Sequence, residues 1–537
     1  MKLRLYCIAA TALAAIFSFS CTRSELPVVT PPSGEGEFPE KEGGETVASL
    51  EAVNAECVAR VIGNTPSGEN LPNPNATLKR FNMASTDYGN MWDAGNGQLW
   101  CMFGDNFNDR NGDWKSNAIA FSTDRDLSDG LYYDDMLRAQ DGSRMEFVVS
   151  RAKTGQYPDD AEHETTCIPT AGTSIPHGSG NRQYVSYMSV NRWAVDGNDV
   201  WTANYSEIVY TDDYGKTWTR SGVKWDGTGN FVQVAFLKQD GMLYMFGTRA
   251  GRKGSVYLAR TTFDSILDKS SWKYWDGGSW AASESEAVPV ANGTVSEMTV
   301  QYNTYYKRYI MMYLSVNQRK LVYRDASSPE GEWSEEKIIA EDGYGPYIHP
   351  WFCNGRDLWY VVSSVTPSGK GYDTWHIHLW HAKLRELEGG FNMVWEGGFE
   401  NDPNKPIAYR TLWKNIENST STRDAHSGKI ACRLLNNESG AWKDACVQTI
   451  NVHKNTDYVV CGWAKSSVSG SSLSYLGVRL PDGRIFDANP QLKSDEWEKI
   501  SVEFNSGDCS SLDVFFGTWG AEGLSVTVDD ISLAPKK

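Results

Sequence analysis

The chain lacks a hydrophobic run long enough to cross a bilayer. Its one apolar stretch near the start, Ile8 to Phe19, falls short of the ~20 residues that a membrane helix needs. It lacks cationic excess as well. With 51 Lys and Arg against 68 Asp and Glu, the net charge is −17, which argues against nucleic acid or an anionic membrane surface as partner. Ten cysteines are present, yet no C-x-x-C pair or Cys/His cluster occurs, and a zinc site is thereby disfavoured. No long amphipathic helical pattern appears either, which leaves strands as the main building material. Hydrophobic residues at 40% and charged residues at 22% exclude both a polytopic membrane protein and a wholly disordered one. Aromatics are what the chain does have, with 21 Trp and 26 Tyr. Flat rings stack on sugars and fill β-sheet cores, so both roles are open. A neutral or basic substrate suits so acidic a protein.

The first 20 residues read as a secretory signal, with Lys2 and Arg4 ahead of the short apolar run. Phe17-Ser18-Phe19-Ser20-Cys21 resembles a bacterial lipobox, and that resemblance implies cleavage before Cys21 and lipidation of this residue. The bland alternative is an ordinary signal with an incidental cysteine. Residues 21–48 carry Pro27, Pro31, Pro32 and Pro39 with an acidic cluster, Glu35, Glu37, Glu40, Glu42 and Glu45. Such a stretch cannot bury apolar surface and reads as a flexible tether. The expectation is a monomeric protein of the cell envelope, lipid-anchored to the outer membrane and exposed at the surface. An oxidising compartment permits disulfides, for example among Cys432, Cys446, Cys461 and Cys509, but spacing does not give the pairing.

Residues 60–392 show a loose repeat in which a turn precedes a short strand with an aromatic at a matching place. Trp100, Tyr184, Tyr244, Tyr309 and Trp359 are these anchors, at an average spacing of about 65 residues, the size of a propeller blade. Gln239-Asp240-Gly241 between apolar strands is a hairpin signal. Thr211-Asp212-Asp213-Tyr214-Gly215-Lys216-Thr217-Trp218 matches the Asp-box hairpin of sialidase-like propellers, in which Asp213 caps the turn and Trp218 packs between strands. Its role is structural. The fold predicted is all-β: a five-bladed β-propeller followed by a C-terminal jelly-roll β-sandwich.

The texture changes near Trp395. Residues 395–537 open on Gly398-Phe399-Glu400, pass through Tyr458–Ala464 and close on Val526-Thr527-Val528-Asp529-Asp530-Ile531. This segment resembles CenC-like carbohydrate-binding modules, which implies a jelly roll and a structural calcium held by Glu400 and Asp530. Trp413, Trp442 and Trp519 are candidate sugar platforms, although buried tryptophans are commoner than exposed ones. A packing module with no affinity for sugar is the alternative.

Two acids stand out in the first blade. Asp105 follows the doubly apolar strand Trp100–Phe103, and Asp87 lies where the adjacent strand of the same hairpin should run. Two carboxylates side by side in a solvent-poor site repel, so one keeps its proton while the other stays ionised. Glycoside hydrolysis needs that division: an acid for the leaving oxygen and a carboxylate for water or the anomeric carbon. A turn cap is the commoner role for a lone aspartate after a strand. Thr86-Asp87-Tyr88-Gly89 through Phe103-Gly104-Asp105, with Ile168–Gly172, Tyr187–Trp193, Asn204-Tyr205-Ser206, Ser296-Glu297 and Tyr344–Pro350, resembles a bacterial propeller family long catalogued as a domain of unknown function. Some of its members are endo-D-arabinanases, which cut the D-arabinofuranose chains of mycobacterial arabinogalactan and lipoarabinomannan. The resemblance implies that Asp87 and Asp105 are the catalytic acids and that D-arabinan is the substrate. Glu297 is a third carboxylate that could tune the pair. Tyr88, Asn204, Arg249 and His349 are the candidate substrate contacts, with Arg252 and Arg260 as further donors; surface ion pairs and a structural histidine are the bland alternatives. Two other functions stay open. A sialidase needs three convergent arginines and a tyrosine nucleophile. A non-catalytic glycan-binding lipoprotein needs only the tether, the aromatics and the C-terminal module.

Overall fold

The protein is described by a computed structural model covering residues 49–108, 112–150, 164–193, 201–367, 373–387, 391–400, 413–415, 419–436, 440–467, 472–490, 492, 496–520 and 522–536. The signal segment, Cys21 and the tether lie outside the described residues.

Strands rich in β-branched and aromatic residues, punctuated by tight turns, build five four-stranded antiparallel sheets. Blade 1 is Gly89–Asp93, Leu99–Phe103, Ala118–Ser122 and Asp135–Met136. Blade 2 is Thr166–His177, Gly180–Trp193, Trp201–Thr211 and Thr219–Asp226. Blade 3 is Gln233–Gln239, Met242–Thr248, Gly254–Thr262 and Lys273–Trp275. Blade 4 is Ala291–Asn303, Arg308–Ser315, Lys320–Ala326 and Lys337–Ala340, and it joins blade 3 through a short ladder at Gly254↔Val295. Blade 5 is Tyr344–Ile348, Asp357–Pro367 and Asp373–Glu386, completed on its outer edge by the N-terminal strand Leu50–Ile62. The first strand of each blade packs against those of its two neighbours, closing a ring around a central axis. This is a five-bladed propeller. Each of the five aromatic anchors falls on the second strand of its blade, which is why they repeat.

The N-terminal strand carries the closure. Leu50, Ala59, Val61 and Ile62 are fully buried, and Ser49 Oγ donates to Asp325 of blade 4 at 2.7 Å. The boundary expected at residue 60 falls inside this strand. Its opening, Glu51-Ala-Val-Asn-Ala-Glu-Cys, is too polar to announce itself as an edge strand in isolation. Turn chemistry does what the residues predict. Asp240 and Gly241 both take positive φ (48° and 75°), the geometry that lets a two-residue hairpin follow the twist of its strands. In the Asp-box, Asp213 accepts from the Thr217 N–H at 2.9 Å and its hydroxyl at 2.6 Å, and Trp218 packs on Phe147 with ring centroids 4.7 Å apart.

Residues beyond 391 form a sandwich. One sheet runs Ser419–Thr422, Ala431–Leu435, Ser525–Pro535, Asp457–Ser466, Glu498–Asn505; the other runs Gly440–Asn451, Ser511–Gly520, Ser472–Arg479, Ile485–Ala488. Between them lies one apolar core containing Phe399, Trp413, Val460, Phe516 and Leu533. Trp413 is therefore core and unavailable as a sugar platform, whereas Trp519 is 45% exposed; the Trp442 side chain lies outside the described residues. The sandwich meets the propeller through Tyr458 Oη donating to Glu332, the Asn451 amide donating to the Pro289 carbonyl, and Trp275 edge-on to His453. Among the described residues every cysteine, from Cys57 to Cys509, is a free thiol.

Candidate active site

The hairpin of blade 1 places both aspartates. Beyond Gly89 and Phe103 its strands continue as a narrow ribbon, Ser85–Thr86 with Asn106–Phe107. There the Asp87 N–H donates to the Asp105 carbonyl at 2.8 Å and the Gly104 N–H to the Tyr88 carbonyl at 3.0 Å. Directly opposed residues of an antiparallel pair share a face. Both side chains line one open cavity of about 1060 Å³, to which every blade contributes. Blade 2 supplies Trp193 and Trp201, the turn after the second strand of blade 3 supplies Arg252, blade 4 supplies Glu297, and blade 5 supplies Tyr344, Trp375 and His376. The axis of a ring of blades is where side chains distant in sequence converge.

Each carboxylate has its own setting. The Tyr344 hydroxyl donates to Asp87 Oδ1 at 2.7 Å and also lies against the Asp87 carbonyl. Gly345 takes φ +52° with the Tyr88 Cβ 3.0 Å from where its own Cβ would stand, so glycine suits this turn, which sets Tyr344 over Asp87. Burial pushes the Asp87 carboxyl up to about 6; the Tyr344 bond opposes the shift, and the charge of Glu297 adds to it. Asp105 Oδ1 accepts from Trp114 Nε1 at 2.9 Å and from Thr166 Oγ1 at 2.5 Å, which fixes its orientation. Glu297 Oε1 accepts from Arg252 Nη2 at 2.8 Å and Nε at 3.2 Å. Burial by itself raises a carboxyl, but here the guanidinium wins and holds Glu297 below its ordinary value. Arg252 lies over the rings of Trp201 and Tyr344 (5.3 and 5.5 Å), a further hold on its position. It is the one Arg or Lys among the described lining residues, and it is committed to Glu297.

Asp87, Asp105, Glu297 and Tyr88 come together in this cavity. The Tyr88 hydroxyl bonds the Pro169 carbonyl, so only its ring faces the open space. Four expected contacts or donors lie elsewhere. His349 is fully buried, caps the turn Pro350–Phe352 through Nδ1, and stays neutral because burial, helped by Arg125, pushes it down to about 3. Arg249 donates to Asn230 at 3.0 Å outside the cavity, and Arg260 stacks on Trp280 at 3.9 Å. Asn204 lines a separate polar pocket of about 750 Å³ on blade 2, bonded to Asn191 and Ser189. Tyr344 opens the stretch Tyr344–Pro350 that carries the resemblance, yet nothing local marks it as a site residue, and Trp375 and His376 lie on a strand without any such motif; only closure of blade 5 brings the three to the axis.

The expected calcium pair behaves differently from the resemblance. Glu400 Oε1 accepts from the Lys429 and Ile430 N–H groups (2.7 and 3.1 Å), while Asp530 bonds Ser427 Oγ and His426 Nδ1, both at 2.7 Å. These carboxylates are already met by donors of the 426–430 turn, and no group of three or more His, Cys, Asp or Glu suited to a metal occurs among the described residues. The side chains as placed do not fit a calcium ion.

Residues 72–378 match the family model described as a domain of unknown function (DUF4185), and residues 392–523 match one described as a carbohydrate binding domain. Notoamide biosynthesis cluster protein J of Aspergillus sp. (strain MF297-2) is 28% identical over 347 residues, covering 60% of this chain and 88% of that protein. Among solved structures, the exo-β-1,3-galactanase of Phanerochaete chrysosporium, determined with β-1,3-galactotriose, is 11% identical with a TM-score of 0.37, covering 90% of this chain and 100% of that one. A family 43 arabinoxylan arabinofuranohydrolase from Bacillus subtilis, in complex with cellotetraose, is 12% identical with a TM-score of 0.34, covering 84% and 96%. Likenesses this distant carry no chemistry across.

Proposed function

Because the chain belongs to the DUF4185 family and carries a carbohydrate-binding module behind that domain, we propose from the site that it is a glycoside hydrolase and, on the resemblance of its motifs to endo-D-arabinanases, an endo-acting D-arabinanase. The observation that supports this most is the pair Asp87 and Asp105, opposed across one hairpin and lining one cavity, with Asp87 half-buried beside the ionised Glu297. Asp87 is the proton donor to the leaving glycosidic oxygen. Asp105, oriented by Trp114 and Thr166, is the carboxylate that activates water or meets the anomeric carbon; a separation of about 6.5–9.5 Å between the groups gives inversion and about 5–5.5 Å gives retention. Burial keeps the proton on Asp87, and the charge of Glu297 adds to that effect. The aromatic walls suit the faces of neutral sugars. With Arg252 tied to Glu297, a carboxylated sugar such as sialic acid meets no free guanidinium among the described lining residues, which weighs against the sialidase alternative.

D-Arabinofuranosyl linkages of mycobacterial-type arabinan are the proposed target on the motifs around Asp87 and Asp105. The C-terminal module holds the polymer near the cavity, and acylation of Cys21 holds the protein on the outer membrane, facing the medium. Incubation of the purified mature protein with D-arabinan, L-arabinan and other polysaccharides tests the reading: a ladder of short products from D-arabinan alone is expected. Asp87→Asn and Asp105→Asn should each lower turnover by about 10²–10⁴-fold. Affinity for a glycan without turnover, unchanged in both variants, would replace this function with that of a surface glycan-binding lipoprotein.

A further inference from the structure

Directly behind Glu297 lies a second, much smaller recess, walled by Tyr88, Gly345 and Tyr347 and floored by Gln233, the first residue of blade 3. About 10 Å³ of it is open to the centre of a water-sized sphere, which on that measure is room for about one water. Gln233 is only 2% exposed, and neither its Oε1 nor its Nε2 has a hydrogen-bond partner. Glu297 is 7% exposed, and its Oε2, the oxygen Arg252 does not reach, is likewise buried and unpartnered. An amide and a carboxylate oxygen buried without partners are expensive to leave so, and natural proteins satisfy nearly all such groups. Here the orphans are complementary, an N–H donor and an anionic acceptor facing one recess.

We infer that this recess is a single-water site, in which the water accepts from Gln233 Nε2 and donates to Glu297 Oε2 and to the Thr170 hydroxyl, making Gln233 a positioning residue for Glu297. Thr170 lines the same recess and spends its own hydrogen on the Ser186 carbonyl, so its oxygen remains an acceptor. The inference rests on the reading of Glu297 as the ionised neighbour of Asp87. The charged and titratable groups facing Glu297 are Arg252 from blade 3, Asp87 and Tyr88 from blade 1, and Tyr344 and Tyr347 from blade 5. None of them reaches Oε2. Gln233 thus acts at one remove, by solvating the charge that adds to burial in keeping a proton on Asp87.

The test is a carbon-detected carboxyl NMR titration of the whole protein, which reads Glu297 and Asp87 whether or not a substrate is known. Gln233→Leu should raise the Glu297 midpoint by about one pH unit, as loss of a hydrogen bond to the charged form requires. Gln233→Asn, which keeps an amide at the recess, should restore most of it. A folded Leu variant with the Glu297 midpoint unmoved would overturn the site. If that variant does not fold, a high-resolution crystal structure of the wild type decides: density bridging Gln233 and Glu297 supports the water, and an amide bonded only to protein groups removes it. A titration that shifts as expected in a protein that hydrolyses nothing would sink the hydrolase reading and leave the water site standing.

Discussion

At the scale of single residues, Asp87 links activity to stability. Its carboxyl titrates near 6 in the folded protein against an ordinary 3.8, so between those values the folded state holds the extra proton. Stability therefore declines as pH rises through that window, and the whole penalty is present above it. Asp87→Asn should remove the penalty, raising stability at neutral pH by up to about 3 kcal/mol and by almost nothing near pH 3, measured by denaturant unfolding at both values. The same titration sets the chemistry. If Asp87 is the proton donor, kcat/KM should fall above about pH 6, and a pH-rate profile still rising at pH 8 would remove it from that role.

Elements carry predictions of another kind. The Asp-box is a hairpin staple remote from the cavity: Asp213 satisfies Thr217 twice, while Thr211 Oγ1 donates back to it at 2.8 Å. Asp213→Ala should cost about 1–2 kcal/mol in thermal or denaturant melts, with activity per folded molecule unchanged. The 426–430 turn of the sandwich is held by Glu400 and Asp530 through protein donors alone. Chelation of divalent cations should accordingly leave the melting temperature where it was, and a clear drop in calorimetry would reinstate the calcium that the CenC-like resemblance implies.

For the whole molecule, closure is the decisive feature. The strand Leu50–Ile62 is far in sequence from the blade it completes, yet it buries Leu50, Val61 and Ile62 at about 1.5–3 kcal/mol each. That sum rivals the entire stability of a domain, about 5–15 kcal/mol. Deleting residues 49–62 should abolish cooperative unfolding in calorimetry, not merely lower its midpoint. Closure also builds the cavity, since Asp87 from blade 1 meets Tyr344 from blade 5 only when the ring shuts. The sandwich adds a separate core and hydrogen-bonds blades 3 and 4 away from these residues.

Blade number, the hairpin at Asp240-Gly241, the Asp-box staple and the pairing of Asp87 with Asp105 were all determined by the sequence alone. Each depends on neighbours along the chain or across one short turn, where spacing and alternation fix which side chains share a face. The partners of those acids were decided by tertiary structure: Tyr344 over Asp87, Arg252 on Glu297, Gln233 beneath it, and the removal of His349, Asn204 and Arg249 to other places. Which strand ends meet at the axis follows from the twist of five sheets and the seam made by Leu50–Ile62, and burial at that meeting point, rather than any motif, sets which carboxyl keeps its proton.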